Sequence, residues 1–561
     1  MKSRFHIIYY SMIFVLFINS CETKKMVVSS LTPSEIEINT LALSETYTNT
    51  KKPTYTKEPT KVSTFTLTNT ETPTITNPPV DLSLNGPWMV FNTDDGIWAM
   101  SNDGTGLRRI IEKPDNYSNY YSSTSQSYIP FMASPKGHRL AFSLIKPMNY
   151  SSSTSTPLLN DEPYLFIMSF PDLSIKVITS LYSPSQIQAI TNGKTENEIT
   201  DDEWYQLEQM KSAIMGNRSL AWSSTGKRLA FSAAIDGPSS DVYMLDLDTS
   251  TISRLSDGST TQAVDLSWSP GDRYVVHTAA VHMNCGGGTG ACGGGSYDSE
   301  GIWIANPNGE EVNKILSGDD YIIRWFTEDE ILAGSWEISC PVGSFNMREV
   351  NIRTGKDVTI WDGMFEDADI DPKTQSILVG TAISSKELEG LSCPRIIDPG
   401  IYLLDPETFL PNRIDNITQD YFTEPLSIRW STVLNIFMLK TGLGIRFISA
   451  SGEVSKPAVL EPSKSIELSQ FPVISPNGKY WLVDLPDYSG WVVRNQDGKI
   501  INVIGPACVI AWRPDSNAFF FTKVDEDEGS IFIAEAPDFT IREVASGLSI
   551  DCNALEFQWV K

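Results

Sequence analysis

The feature that most constrains this chain is a unit that recurs along it. Its clearest copy runs Leu220-Ala221-Trp222-Ser223-Ser224-Thr225-Gly226-Lys227-Arg228-Leu229-Ala230-Phe231, then a loop, then Asp241-Val242-Tyr243-Met244-Leu245-Asp246-Leu247, then Ile252-Ser253-Arg254-Leu255. Two apolar runs flank a glycine-bearing turn, the third run alternates like a half-buried strand, and the fourth is short. The pattern predicts a four-stranded antiparallel meander. A length of 561 residues suggests three or four domains at about 150 residues each. Self-similar units stack on their neighbours instead, so repetition outweighs length.

Further copies begin at Ala133-Ser134-Pro135-Lys136-Gly137, Trp268-Ser269-Pro270-Gly271-Asp272, Ile474-Ser475-Pro476-Asn477-Gly478-Lys479 and Trp512-Arg513-Pro514-Asp515, with weaker ones around Trp325, Asp371-Pro372 and Trp430-Ser431. Their third strands are expected at Tyr164 to Met168, Ile302 to Ala305, Ile401 to Leu404, Ile445 to Ile448, Trp491 to Val493 and Ile531 to Ala534. These residues resemble the TolB-like, WD-like β-propeller repeat, W-S-P-D-G-K followed by an apolar strand and an I-Y-x-x-aliphatic strand. The resemblance implies an all-β fold, a single closed β-propeller of four-stranded antiparallel blades over residues 85–561. It says little about function, because the pattern encodes turns and core strands.

The chain ends supply an independent sign of closure. The first unit, Trp88 to Phe91, Ile97 to Met100 and Leu107 to Ile111, lacks an opening strand, whereas Phe557-Gln558-Trp559-Val560 looks like an opening strand with no unit after it. Joined, they make one blade, which removes the unpaired edges of an open array. Nine candidate units result; because propellers typically have four to eight blades, eight is expected, within a range of seven to nine.

Residues 1–20 read as a lipoprotein-type signal peptide: Lys2 and Arg4 precede an apolar run from Ile7 to Phe17, and Ile18-Asn19-Ser20-Cys21 follows. That run is shorter than the roughly 20 residues a bilayer span needs. The tetrapeptide resembles the lipobox of bacterial lipoproteins, with Asn19 where the family carries a small residue. The resemblance implies acylation of Cys21, export, and attachment of the protein to a membrane at the extracytoplasmic cell envelope. Residues 21–84 are rich in Ser, Thr and Pro and are expected to form a disordered tether.

Charge narrows the partners. Residues 1–80 hold 8 basic and 6 acidic residues, leaving 43 − 8 = 35 basic and 69 − 6 = 63 acidic residues, a net charge of −28, for the remainder. An acidic ring of this kind repels phosphate, so nucleic acid is not an expected partner.

The long segments between strands are unevenly placed. In a four-stranded meander the first-to-second and third-to-fourth turns share one face, and the second-to-third loops share the other with the links between blades. The turns of the first kind are short, as at Gly137, Gly226, Gly309, Gly355, Gly452 and Gly498. Residues 144–162, 279–300, 335–346 and 383–399 and the interblade insertion 181–218 belong to the second kind. Recognition of a protein, peptide or glycan is assigned to that elaborated face, since loops on a rigid scaffold carry binding residues. Inside the insertion, Thr200-Asp201-Asp202-Glu203 has capping-box spacing ahead of Trp204, Leu207, Met210 and Ile214, which predicts one amphipathic helix ending at Gly216.

Six cysteines besides Cys21 are expected to form disulfides in an exported protein. The unit register suggests Cys285 with Cys292, Cys340 with Cys393, and Cys508 with Cys552. Catalytic motifs are scarce. The four histidines are His6, His138, His277 and His282, and the chain has no G-x-S-x-G elbow, H-E-x-x-H or P-loop. No cofactor is expected: His282 with Cys285 and Cys292 lacks a second ligand pair for zinc, and Asp525-Glu526-Asp527-Glu528-Gly529 offers carboxylates to Ca²⁺ without EF-hand spacing. The expected function is non-catalytic binding or scaffolding. Its rival is a propeller hydrolase or lyase acting on carbohydrate through carboxylates or a cation in the central channel.

Overall fold

A computed structural model describes residues 64–66, 86–93, 96–112, 131–146, 162–194, 198–216, 218–256, 261–283, 297–336, 344–381, 398–414, 426–441, 444–455, 471–484, 490–508, 510–525, 528–550 and 557–560. Their strands form nine antiparallel sheets, each a four-stranded meander, one of which carries an additional fifth strand. Blade 1 joins the C-terminal strand Phe557–Val560 to Trp88–Thr93, Gly96–Ser101 and Arg108–Glu112. Blades 2 to 9 open with inner strands Phe131–Ala133, Leu220–Trp222, Gln262–Trp268, Asp320–Trp325, Asp367–Ile370, Ser427–Ser431, Val473–Ile474 and Ile510–Trp512. The ring therefore has one blade more than the preferred eight, at the upper end of the expected range. The units around Trp325, Asp371 and Trp430, weak as sequence patterns, are complete sheets rather than elaborations.

Alternation along each strand explains how the ring holds together. Successive side chains point to opposite faces. Phe519 and Phe521 enter the cluster between blades 8 and 9, whereas Phe520 enters the one between blades 9 and 1. Each of the nine spaces between neighbouring blades is filled by one such apolar cluster. Closure follows the register Trp88↔Val560, Met89↔Trp559, Val90↔Gln558 and Phe91↔Phe557, as the chain ends imply.

The repeat motif acquires a physical meaning here. Its serine closes the first turn: Ser223, Ser269 and Ser475 each donate a backbone N–H to the carbonyl five residues on, at 2.9 Å, and their hydroxyls accept the N–H of the same residues at 2.9–3.1 Å. Its tryptophan links blades. The indole N–H donates to the inner strand of the preceding blade, from Trp222 to Met132 O at 3.0 Å, Trp268 to Ala221 O at 2.8 Å and Trp512 to Val473 O at 2.9 Å.

The insertion between blades 2 and 3 contains two helices, α1 (Pro184–Ile190) and α2 (Asp201–Met215), one more than the capping box alone signals. Thr200 accepts the Glu203 N–H at 3.3 Å, the Glu203 carboxylate accepts the Thr200 N–H at 2.9 Å, and Gly216 follows the last turn, as the sequence implies. Leu207, Met210 and Ile214 are fully buried against blades 2 and 3. The helix stripe therefore belongs to the core.

One strand falls inside the expected tether. Thr64–Thr66 pairs antiparallel with Thr251–Arg254, the outer strand of blade 3, and gives that blade its fifth strand. Among the described residues no helix is long and apolar enough to cross a membrane.

Candidate functional site

Charged residues on the inner strands concentrate in blades 4 to 7, and there they form a network across blades. Arg324 of blade 5 meets Asp369 of blade 6 through Nε to Oδ1 at 2.6 Å and Nη2 to Oδ2 at 2.7 Å. The same Oδ2 accepts the Trp430 N–H of blade 7 at 2.6 Å. Asp367 Oδ2 accepts the Ile428 N–H at 2.8 Å and Glu366 Oε2 accepts the Leu426 N–H at 3.2 Å. Alternate N–H groups of an inner strand face away from its own sheet, and these carboxylates satisfy three of them in a row.

This setting shifts the carboxyls. Burial pushes Asp367 up to about 6; Asp369's charge adds to that rise, while the Ile428 and Ala368 N–H groups oppose it. Burial also raises Asp369, against the pull of the Trp430 N–H and Arg324. Asp320, on the neighbouring blade, is held by Arg348 at 2.6 Å and by the Ser335 hydroxyl at 2.6 Å. The carboxylates thus cluster, and each is engaged by protein donors. Among the described residues no group of three or more His, Cys, Asp or Glu is arranged to hold a metal ion.

The sheet topology fixes which connection lies on which face. The second-to-third connections of blades 2, 4 and 6 are long, running from Lys146 to Glu162, Met283 to Tyr297 and Thr381 to Gly400, whereas those of blades 3, 5 and 8 are intermediate, running from Ala233 to Asp241, Trp336 to Ser344 and Asp484 to Trp491. The corresponding connections of blades 1, 7 and 9 run only from Thr93 to Gly96, Thr441 to Gly444 and Asp525 to Glu528. At the ends of the acidic stretch, Asp525 lies opposite Glu528 and Val524 opposite Gly529 on adjacent strands. On the other face the first-to-second turns are uniformly short, 269–274 and 371–376 being the longest.

That second face carries a cleft of about 570 Å³ between blades 8 and 9, lined among others by Lys479, Tyr480, Asn495, Asp497, Lys499 and Asp538. Sequence reasoning missed it, because its residues come from three separate turns and no local pattern links them. Of the proposed disulfide cysteines, Cys508 lies between blades 8 and 9, where its N–H donates to Thr522 O at 3.1 Å. Cys21, Cys285, Cys292, Cys340, Cys393 and Cys552 lie outside the described residues, as do the interiors of the three long loops. His138 closes a first-to-second turn with its ring 5.5 Å from Trp88, and His277 is a buried residue of the strand Val275–Met283, its Nδ1 without a hydrogen-bond partner among the described residues.

Fold and site together define the chain as a nine-bladed β-propeller with unequal faces. No family model matches it, and no curated protein does. Among solved structures it is similar to a eukaryotic initiation factor (12% identity, 85% of this chain and 98% of that one, TM-score 0.44). It is also similar to TolB from Acinetobacter baumannii (14%, 75% and 83%, TM-score 0.27) and to an oligogalacturonate lyase in complex with manganese (12%, 56% and 88%, TM-score 0.32). These likenesses concern the fold.

Proposed function

We propose that this protein is a lipid-anchored propeller that binds a protein, peptide or glycan through the face bearing its long loops, without chemistry of its own. The observation that carries this reading is the segregation of long connections: those of blades 2, 4 and 6 emerge on one face, opposite a face of short turns. A rigid ring that lengthens its loops on one side offers an adaptable surface on a fixed base. Acylation of Cys21 attaches that surface to the extracytoplasmic side of a membrane, and cleavage after Ser20 removes the signal. The disulfides Cys285–Cys292, Cys340–Cys393 and Cys508–Cys552 stiffen the loop face and the seam beside the closing strand, the last contributing about 4 kcal/mol by the chain-entropy model. Peptide mass mapping under non-reducing conditions identifies these pairs; free thiols at Cys508 and Cys552 would remove the seam bond from the proposal.

The binding test compares the intact protein with one in which residues 147–161, 284–296 and 382–397 are replaced by short Gly-Ser links, and with Lys479→Ser/Lys499→Ser on the opposite face. Partners crosslinked on intact membranes are expected to be lost only from the loop-shortened protein, whose melting transition stays cooperative. Equal recovery from all three defeats the loop-face assignment.

One observation favours a second reading, a carbohydrate hydrolase or lyase working from the channel. Asp367, pushed up to about 6 by burial, sits two residues from Asp369, which is held by Arg324, and a pair of neighbouring carboxyls with a raised acid among them is what such chemistry uses. Turnover of acidic or neutral oligosaccharides that disappears in Asp367→Asn would favour it over binding alone.

A further inference from the structure

We propose that the outer edge of blade 3 is a β-strand docking edge whose occupant is the chain's own Ser/Thr-rich segment, through Thr64-Phe65-Thr66. The register is Thr64↔Ser253, Phe65↔Ile252 and Thr66↔Thr251, and among the described residues no other blade carries a fifth strand.

The choice of edge follows from how the other eight are blunted. Sheet edges are kept from pairing by bulges, prolines, charges or shortness. The outer pairings of blades 1, 2, 4, 5, 8 and 9 all contain register shifts. Blade 6 ends in Pro411–Arg413, a proline and a charge on three exposed residues, and the outer strand of blade 7 is only Val454–Ser455. Thr251–Arg254 alone is unbulged, four residues long and free of proline. Its one charge is turned aside: Arg254 meets Asp236 at 3.2 Å and Asp241 at 2.5 Å. Among the described residues this is the outer edge least guarded against strand addition.

The segment that fills it suits the task. From Thr60 to Thr72 the chain has no proline, and Thr64-Phe65-Thr66-Leu67-Thr68 alternates β-branched and apolar residues inside an otherwise pattern-free stretch. Strand addition of this kind draws affinity from main-chain hydrogen bonds and specificity from alternate side chains. Docking here divides the expected tether, leaving residues 21–63 on the N-terminal side of the docked strand. This does not depend on what the loop face binds.

The test is hydrogen exchange on the full chain. Leu255 donates inward to Val242 O, so by strand alternation the Ile252 amide points to the outer edge, opposite Phe65. In wild type the Ile252 amide is expected to exchange at least tenfold more slowly than in Phe65→Pro, with Met244 on the next strand equally protected in both; Phe65→Val, which keeps a strand-forming residue, retains the protection. Equal exchange at Ile252 in wild type and Phe65→Pro overturns the proposal. A loss that extends to Met244 also overturns it, because Thr64–Thr66 would then be an integral part of the blade rather than a segment docked on it.

Discussion

At the scale of the residue, two kinds of position carry testable consequences. Gly226 turns the repeat's first hairpin at φ +67°, and a Cβ there would meet Lys136 O of the neighbouring blade at 3.1 Å. An L-residue in that conformation costs about 1–2 kcal/mol, so Gly226→Ala is expected to lower stability by that amount in urea melts; an unchanged midpoint would mean the turn relaxes freely. The second kind is titratable. Burial pushes His277 from its ordinary 6.5 down to about 4, and pushes Asp367 from 3.8 up to about 6. The unfolded chain holds more protons on His277 between these limits, so the neutral imidazole's contribution is present above about 6.5 and is lost as pH falls toward 4. Asp367 acts in the opposite sense: the folded state holds more protons, so stability is gained as pH falls from about 6 toward 3.8. Each effect is on the order of 3 kcal/mol at full extent, and in the wild type they offset. Relative to wild type, His277→Gln should gain stability between pH 7 and 4.5 and Asp367→Asn should lose it, read as urea midpoints. Parallel profiles for all three proteins would contradict both shifts.

At the scale of the element, what was legible was whatever a strand writes into its own sequence. The third strand predicted at Ile401 to Leu404 is observed at Gly400–Leu404, and Phe557–Val560 is observed as read, because period-two alternation and turn residues are local. The capping box at Thr200 identified α2 for the same reason. Helix α1 was missed because its signal, Ser183 followed by Pro184 and Gln186, covers a single seven-residue element without a repeating apolar stripe. The carboxylate network was illegible for a different reason. Asp367 and Asp369 look like ordinary acidic residues until the open edge of another blade is laid beside them. The Trp222, Trp268 and Trp512 positions form a motif in the sequence, but their indole hydrogen bonds reach back 90, 47 and 39 residues. Trp268→Phe leaves Ala221 O without this donor and is expected to cost about 1 kcal/mol from the lost hydrogen bond, with a similar loss for Trp222→Phe. If neither change moves the denaturation midpoint, the indoles pack without linking blades. Thr200→Ala should weaken α2 by about 1 kcal/mol, seen as faster amide exchange over Asp201 to Trp204 with the blades unaffected. Unaltered exchange there would mean the cap is dispensable.

At the scale of the whole molecule, the blades form one ring whose interfaces are equivalent in kind. Each of nine apolar clusters joins two neighbours, and one interblade contact sequence, from blade 9 through the composite blade to blade 2, depends on residues from both ends of the chain. Val560 is fully buried in the cluster between blades 1 and 2, while Trp559 and Phe557 pack toward blade 9. The unequal faces depend on this closure, since loops on one side of an open, fraying array would have no fixed base. Removing Phe557–Val560 uncovers the Trp88–Phe91 edge and the apolar surface that Phe557, Trp559 and Val560 cover, a loss of about 6 kcal/mol at roughly 2 kcal/mol for each of these three apolar side chains. The most direct test of the ring is therefore thermal unfolding of the chain truncated after residue 556, with hydrogen exchange followed at Met89 to Phe91. A closed ring predicts a melting temperature lowered by several degrees and loss of protection along that strand, whereas full-length melting behaviour with Met89 to Phe91 still protected would contradict closure.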